Sequence, residues 1–142
     1  MKKNGFTLIE LLVVIAIIGL LSTLAVVALG SAKQKARDAK RLSDLKQFQS
    51  ALELYYSDKT DYPSGNSVVL GGGSAACLND QGWQASGCAN SYMPNIPADP
   101  ESPNANYVYT KGANTYTITA SLESNVNGLT GPIKVTPTGI GK

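Results

Sequence analysis

The chain opens Met1-Lys2-Lys3-Asn4-Gly5-Phe6-Thr7-Leu8-Ile9-Glu10-Leu11-Leu12-Val13-Val14-Ile15-Ala16-Ile17-Ile18-Gly19 and stays apolar through Leu29. Between Leu8 and Leu29 lie 22 residues with one charge, Glu10. As a helix rising about 1.5 Å per residue, that run reaches about 33 Å, enough to cross a bilayer core of about 30 Å. Lys2 and Lys3 precede it, and no further charge comes before Lys33. A basic start of this kind keeps the short N-terminus in the cytoplasm and sends the C-terminal part across the membrane. A cleaved secretory signal is the rival reading, since it too starts basic and Ala28-Leu29-Gly30 has the form of a small-residue cleavage site. The run is longer than a signal core and carries an acid near its start. Both features favour a retained span.

Glu10 is the most informative residue. A carboxylate inside the hydrocarbon region costs on the order of 2–3 kcal/mol, less near the end of a span, and such groups usually face a partner. The span holds no basic side chain. Glu10 therefore either sits shallow enough to reach interfacial water or meets a positive charge from another copy of the chain.

Residues 1–19, with the basic leader, the Gly5-Phe6 junction, the acid at Glu10 and the long apolar run, resemble the N-terminus of a type IV pilin or type II secretion pseudopilin precursor. The resemblance implies that a membrane-embedded prepilin peptidase cuts between Gly5 and Phe6 and methylates the new amino group of Phe6. It further implies that Glu10 pairs with the Phe6 amine of a neighbouring subunit as the filament assembles. Two opposite charges buried together cost far less than either alone. Gly19 matches a position near which the helix loosens in assembled filaments. Many members have proline where Val27 stands here.

Beyond Gly30 the pattern becomes amphipathic. Ala32, Ala36, Ala39, Leu42, Leu45, Phe48, Leu52 and Tyr55 recur at steps of three and four, the helical period. Charged residues from Lys33 to Lys46 lie between them and read as a solvated face with pairs such as Lys40–Asp44 and Arg41–Asp44. One helix is expected from about Phe6 to Ser57, roughly 78 Å long. Pro63 prevents its continuation. The basic cluster has no interleaved aromatic residue to stack on bases, so nucleic-acid binding is possible but unsupported.

The remainder is polar and rich in turns. Ser67–Leu70 reads as a short strand. Gly71-Gly72-Gly73 lacks a following Gly-Lys-Ser/Thr and reads as a flexible loop. Residues 92–100 are extended and proline-rich. Tyr107–Thr110 and Thr115–Leu122 form a hairpin, the second strand alternating Tyr116, Ile118, Ala120 and Leu122 with Thr and Ser. Ile133–Val135 adds an edge strand. In an exported domain Cys77 and Cys88 are expected to form a disulfide around Trp83, contributing roughly 3 kcal/mol in the chain-entropy model. A redox pair or two free thiols are the alternatives.

Pro97-x-Asp99-Pro100, then Tyr107-x-Tyr109, then the Tyr116 strand are similar to the C-terminal part of major pseudopilins. Those proteins commonly continue Asp-Pro with Trp-Gly and bind calcium in a nearby loop. Here Glu101-Ser102 follows, so no metal is expected. Asp99, Glu101 and Glu123 could supply oxygen ligands, but the preferred reading makes them solvated loop acids.

The 142 residues suit one modest domain. They include no histidine and two cysteines, which excludes a Ser-His-Asp triad, a His-ligated metal and a four-thiolate site within one chain. No cofactor and no enzyme activity are expected. The expected fold is α+β and pilin-like, with a long N-terminal helix packed on a small antiparallel sheet and a variable, disulfide-closed loop. Its parts are a leader (1–5), a membrane-spanning, filament-core half-helix (6–30), an amphipathic half-helix (31–58) and a globular sheet domain (59–142).

The function expected first is a structural subunit of a type IV pilus, serving adhesion, motility or DNA uptake. A type II secretion pseudopilin is the alternative, and an uncleaved single-span binding protein is a weaker one. The implied partners are further copies in a helical filament, prepilin peptidase and the assembly machinery. The implied location is the inner membrane, single-pass, with the C-terminal domain outside; after assembly it is a periplasmic or extracellular filament.

Overall fold

The computed structural model describes residues 5–142; Met1 to Asn4, most of the expected leader, lie outside the described residues. Helix α1 runs Leu8–Lys59 without interruption, two residues later at each end than the sequence pattern suggests. Thr7 caps its start, and Thr60, in the left-handed region at φ 57°, stops it. The N–H of Thr60 still donates to the Tyr56 carbonyl at 2.7 Å, closing the last turn. By compactness the chain divides into Met1–Gln34 and Lys35–Lys142.

Within Lys35–Lys142, five antiparallel strands form one sheet in the order β1-β4-β5-β6-β7. They are β1 (Val68–Leu70), β4 (Tyr107–Gly112), β5 (Thr115–Val126), β6 (Leu129–Thr136) and β7 (Gly139–Gly141). A separate two-stranded ribbon pairs β2 (Cys77–Asn79) with β3 (Gly82–Gln84). The expected hairpin is present as β4 and β5, with Tyr109 opposite Ile118. Ile133–Val135 is no edge: β6 lies between β5 and β7, and β7 forms the edge. Asn127-Gly128, both at positive φ, makes the tight turn that starts β6 six residues after Glu123. A two-residue turn of that kind matches the natural twist of paired strands.

One face of the sheet presents Tyr107, Tyr109, Tyr116, Ile118, Ala120, Leu122, Ile133 and Val135, all buried. Leu45, Phe48, Ala51 and Leu52 of α1 belong to the same core. Phe48 meets Tyr107 edge-on at 5.3 Å, and Tyr62 meets Tyr116 edge-on at 4.8 Å. The buried stripe on α1 departs from the expected one above Leu45. Ala32, Ala36 and Ala39 are exposed, and Asp38, Arg41 and Asp44 are buried in their stead.

Cys77 and Cys88 form the disulfide, with Cα atoms 5.9 Å apart. It closes a loop that carries the ribbon, whose Trp83 packs edge-on against Tyr109 at 4.9 Å. Leu78 pairs across an isolated bridge with Met93, tying the proline-rich segment to this ribbon. The glycine run also has a rigid member. A Cβ on Gly71 (φ +74°) would lie 2.5 Å from the Ala98 backbone, so only glycine allows the two segments to approach.

Candidate functional site

The expected cleavage junction and Glu10 lie together at the start of α1. Gly5, Phe6 and Thr7 are outside the helix and exposed, so the peptide bond between Gly5 and Phe6 is free of helical hydrogen bonds. Phe6 is 79% exposed. Thr7 and Glu10 then make a reciprocal cap. The Glu10 N–H donates to Thr7 Oγ1 at 3.3 Å, and Glu10 Oε2 accepts from the Thr7 N–H at 2.8 Å and from its hydroxyl at 2.7 Å. This is a capping box, in which a hydroxyl and a carboxylate three residues apart satisfy donors that the first helical turn leaves open.

The sequence carries that signature as Thr7-x-x-Glu10, a partner that neither interfacial water nor a cation from another copy takes into account. Within the chain the carboxylate already has a partner. Phe6, Ile9, Glu10, Val13 and Val14 line one groove, so the acid and the junction share a face. The large apolar side chains that follow, from Leu8 to Leu29, are exposed, and none of the most apolar 18-residue window is buried. Such a surface is long and apolar enough to cross a membrane.

A second constellation joins the acids grouped in the sequence, Asp99, Glu101 and Glu123, to a cation that the sequence reading left on the solvated face. Arg41 is 0% exposed, and its guanidinium uses all five of its N–H groups. Nε donates to Asp99 Oδ2 at 2.9 Å; Nη1 donates to Asp38 Oδ1 at 2.8 Å and Glu123 Oε1 at 2.6 Å; Nη2 donates to Asp99 Oδ1 and Glu101 Oε2, both at 3.0 Å. Arg37 adds a two-nitrogen grip on Glu123. Asp38 spends its remaining capacity on the sheet, accepting from the N–H groups of Glu123 and Ser124 and from the Ser124 hydroxyl. Those residues lie where the β5–β6 register shifts, between Leu122 and Val126. A bulge removes backbone groups from the ladder, and a helix side chain supplies their partner.

Asp99 and Glu123 are thus not solvated loop acids, whereas Glu101 keeps a partly exposed side chain. Asp99 is buried, and Glu101 and Glu123 are held by arginine. The hydrogen bonds from Arg37 hold the Glu123 carboxyl at about 2 despite the upward push of burial, with Arg41 adding to the effect. Burial pushes Asp38 up, but the Ser124 hydroxyl, the Glu123 N–H and Arg41 outweigh it and hold it below its ordinary value. The anticipated Arg41–Asp44 pair is absent among the described contacts. Asp44 instead accepts from Lys40 and from the Tyr107 hydroxyl, each at 3.0 Å. The sequence signal was available: Asp38 and Arg41 continue the 45, 48, 52 stripe at steps of three and four.

A long helix, apolar and then amphipathic, whose second half packs on an antiparallel sheet, defines a pilin-like α+β protein. Residues 1–30 match the prokaryotic N-terminal methylation motif, and residues 28–132 match the model of type II secretion system protein G. The chain belongs to the type II secretion system protein G family. It is 37% identical over 99 residues to the type II secretion system core protein G of Escherichia coli strain K12, covering 70% of this chain and 67% of that one. The protein of that name from Pseudomonas aeruginosa is 32% identical over 101 residues, covering 70% and 68%. The one from Pectobacterium carotovorum is 44% identical over 63 residues, and the chain spans only 40% of its length. No solved structure matches the chain. The family is that of the secretion reading, held as the alternative, rather than of the pilus reading placed first.

Proposed function

We propose that this chain is a pseudopilin, a structural subunit of a type II secretion filament, cut between Gly5 and Phe6 and methylated on the Phe6 amine before assembly. The observation that carries the proposal is the stretch from Leu8 to Leu29, whose large apolar side chains are exposed along its whole length and whose one charge sits at its start. Before assembly the bilayer covers that surface. In the filament, copies of the same helix cover it, joined head to tail in contacts that do not close and so generate an open helical polymer.

Glu10 holds register. Its carboxylate shares a groove with Phe6, and the Phe6 amine of the next subunit supplies the cation that the span lacks. The Gly5-Phe6 bond is exposed and lies outside the helix, where a peptidase can reach it. Membership in the protein G family supports secretion over a surface pilus. The disulfide-closed loop and the Glu101-Ser102 that stands in place of Trp-Gly favour the type IV pilus subunit as a second reading.

The full chain, expressed in its own cells, tests this. Mass spectrometry is expected to find a subunit beginning at methylated Phe6, and electron microscopy is expected to find it in short fibres whose loss blocks secretion. Retention of Met1, or a subunit that never enters a fibre, overturns the proposal; long surface fibres with normal secretion select the pilus reading. Glu10→Gln separates the two roles of the acid. Glutamine still completes a capping box but carries no charge, so the variant is expected to insert and be cut while fibre yield drops roughly tenfold or more, as loss of a buried charge pair at every subunit contact predicts. Normal fibre yield from that variant sinks the register role of the ion pair.

A further inference from the structure

The resemblance to major pseudopilins implies a calcium ion near the Asp99–Tyr107 segment, and the acids of this chain do not fit one. Calcium needs six to eight oxygens about 2.3–2.6 Å from a single point. Here the carboxylates of Asp38, Asp99, Glu101 and Glu123 are arranged instead around the flat fork of Arg41, each 2.6 to 3.0 Å from a nitrogen. Among the described residues, no three His, Cys, Asp or Glu side chains are placed to hold a metal.

We infer that Arg41 is the resident cation of this domain, a guanidinium built into the helix that does for the Asp99–Tyr107 segment and the β5 bulge what a divalent ion would otherwise do. The parts it joins are far apart in sequence. Asp38 and Arg41 come from α1, Asp99 and Glu101 from the segment before β4, and Glu123 from β5 at the register shift. Each part brings negative charge, and without a central cation they repel. Arg37 covers the outer side through Glu123 and lies 3.8 Å from Glu101.

The guanidinium suits this position better than an ion in two respects. It is permanently charged, and its five donors are directional, so each fixes the orientation of one carboxylate oxygen. It is also covalently part of the chain, so the fold does not depend on the divalent cation concentration outside the cytoplasm. This chemistry belongs to the domain and holds whether or not the helix polymerises.

The test uses the full-length protein in detergent micelles, melted in excess EDTA and in millimolar CaCl2, with the near-ultraviolet signal of Trp83 and the tyrosines as readout. The wild-type melting temperature is expected to agree between the two conditions within about 1 °C, well under the several degrees that a kcal/mol-scale bound ion would add. A fall of several degrees in EDTA overturns the inference outright. Arg41→Ala is the second arm. In EDTA it is expected to melt roughly 10 °C or more below wild type, because buried carboxylates lose their partner. Freed of the guanidinium that spaces them, the carboxylates are able to re-aim around an ion, so calcium is expected to restore several of those degrees and terbium to give sensitised luminescence in the variant alone. A folded Arg41→Ala that ignores both ions counts against the cation role, as does terbium luminescence from the wild type. Should the variant fail to fold in either condition, the wild-type comparison still decides.

Discussion

At the scale of single residues, two hydroxyls buried in the same sheet behave differently. Tyr107 donates to Asp44 at 3.0 Å. Tyr116 is fully buried between the rings of Tyr62 and Tyr109, and its hydroxyl has no partner among the described residues. A buried hydroxyl without a hydrogen bond costs about 1–3 kcal/mol, whereas a satisfied one contributes about 1 kcal/mol. Tyr116→Phe is therefore expected to raise stability by about 1 kcal/mol, and Tyr107→Phe to lower it by about as much. Urea unfolding of both variants measures this, and a loss from Tyr116→Phe would mean that its hydroxyl is bonded.

Glu123 gives a pH dependence with a definite sign. The grip of Arg37, aided by Arg41, holds its carboxyl at about 2 in the folded chain against an ordinary 4.5. A carboxyl depressed on folding contributes stability above its unfolded value, and that stability is lost as pH falls toward the folded one. The melting temperature is expected to be level from pH 7 to about 5 and to drop between about 4.5 and 2. In Glu123→Gln the drop should be shallower, and an equally steep drop in that variant would assign the acid sensitivity elsewhere.

At the scale of elements, the helix and the β4–β5 hairpin were legible because each has a period. An unbroken apolar run followed by steps of three and four gives a helix whatever it packs on, and strict alternation from Thr115 to Leu122 gives a strand with one buried face. The expected strand Ile133–Val135 is only the end of β6, cut short because Gly131 and Pro132 look like breakers. β7 pairs only with Lys134–Thr136, so β6 is itself open on that side at Pro132, where a missing N–H is tolerated. Asn127-Gly128 was the overlooked signal for that strand.

The ribbon of β2 and β3 is short and has little periodicity. The Cys77–Cys88 bond, the bridge to Met93 and the Trp83–Tyr109 contact hold it in place. Replacing both cysteines with alanine is expected to cost roughly 3 kcal/mol, about what closing a loop of this length removes from the unfolded chain. Guanidinium unfolding reads that loss. The far-ultraviolet helix signal should be unchanged in native buffer, because α1 contributes no residue to the bond. A variant as stable as wild type would show that the contacts of the ribbon suffice.

At the scale of the whole molecule, the sequence by itself determined the apolar helix, the N-terminal methylation motif and the single acid at Glu10, because hydropathy, charge and spacing are properties of neighbouring residues. It also carried the α+β class and the disulfide. The helical stripe places Asp38 and Arg41 on the buried face, but the tertiary structure alone decided the fate of Arg37, Asp99, Glu101 and Glu123. In sequence they read as a solvated basic face and scattered loop acids, separated by up to 86 positions. Charge carries no label for burial. Only when the helix lies on the sheet do four carboxylates converge on one guanidinium, and without that cation the two buried ones, Asp38 and Asp99, would be left uncompensated.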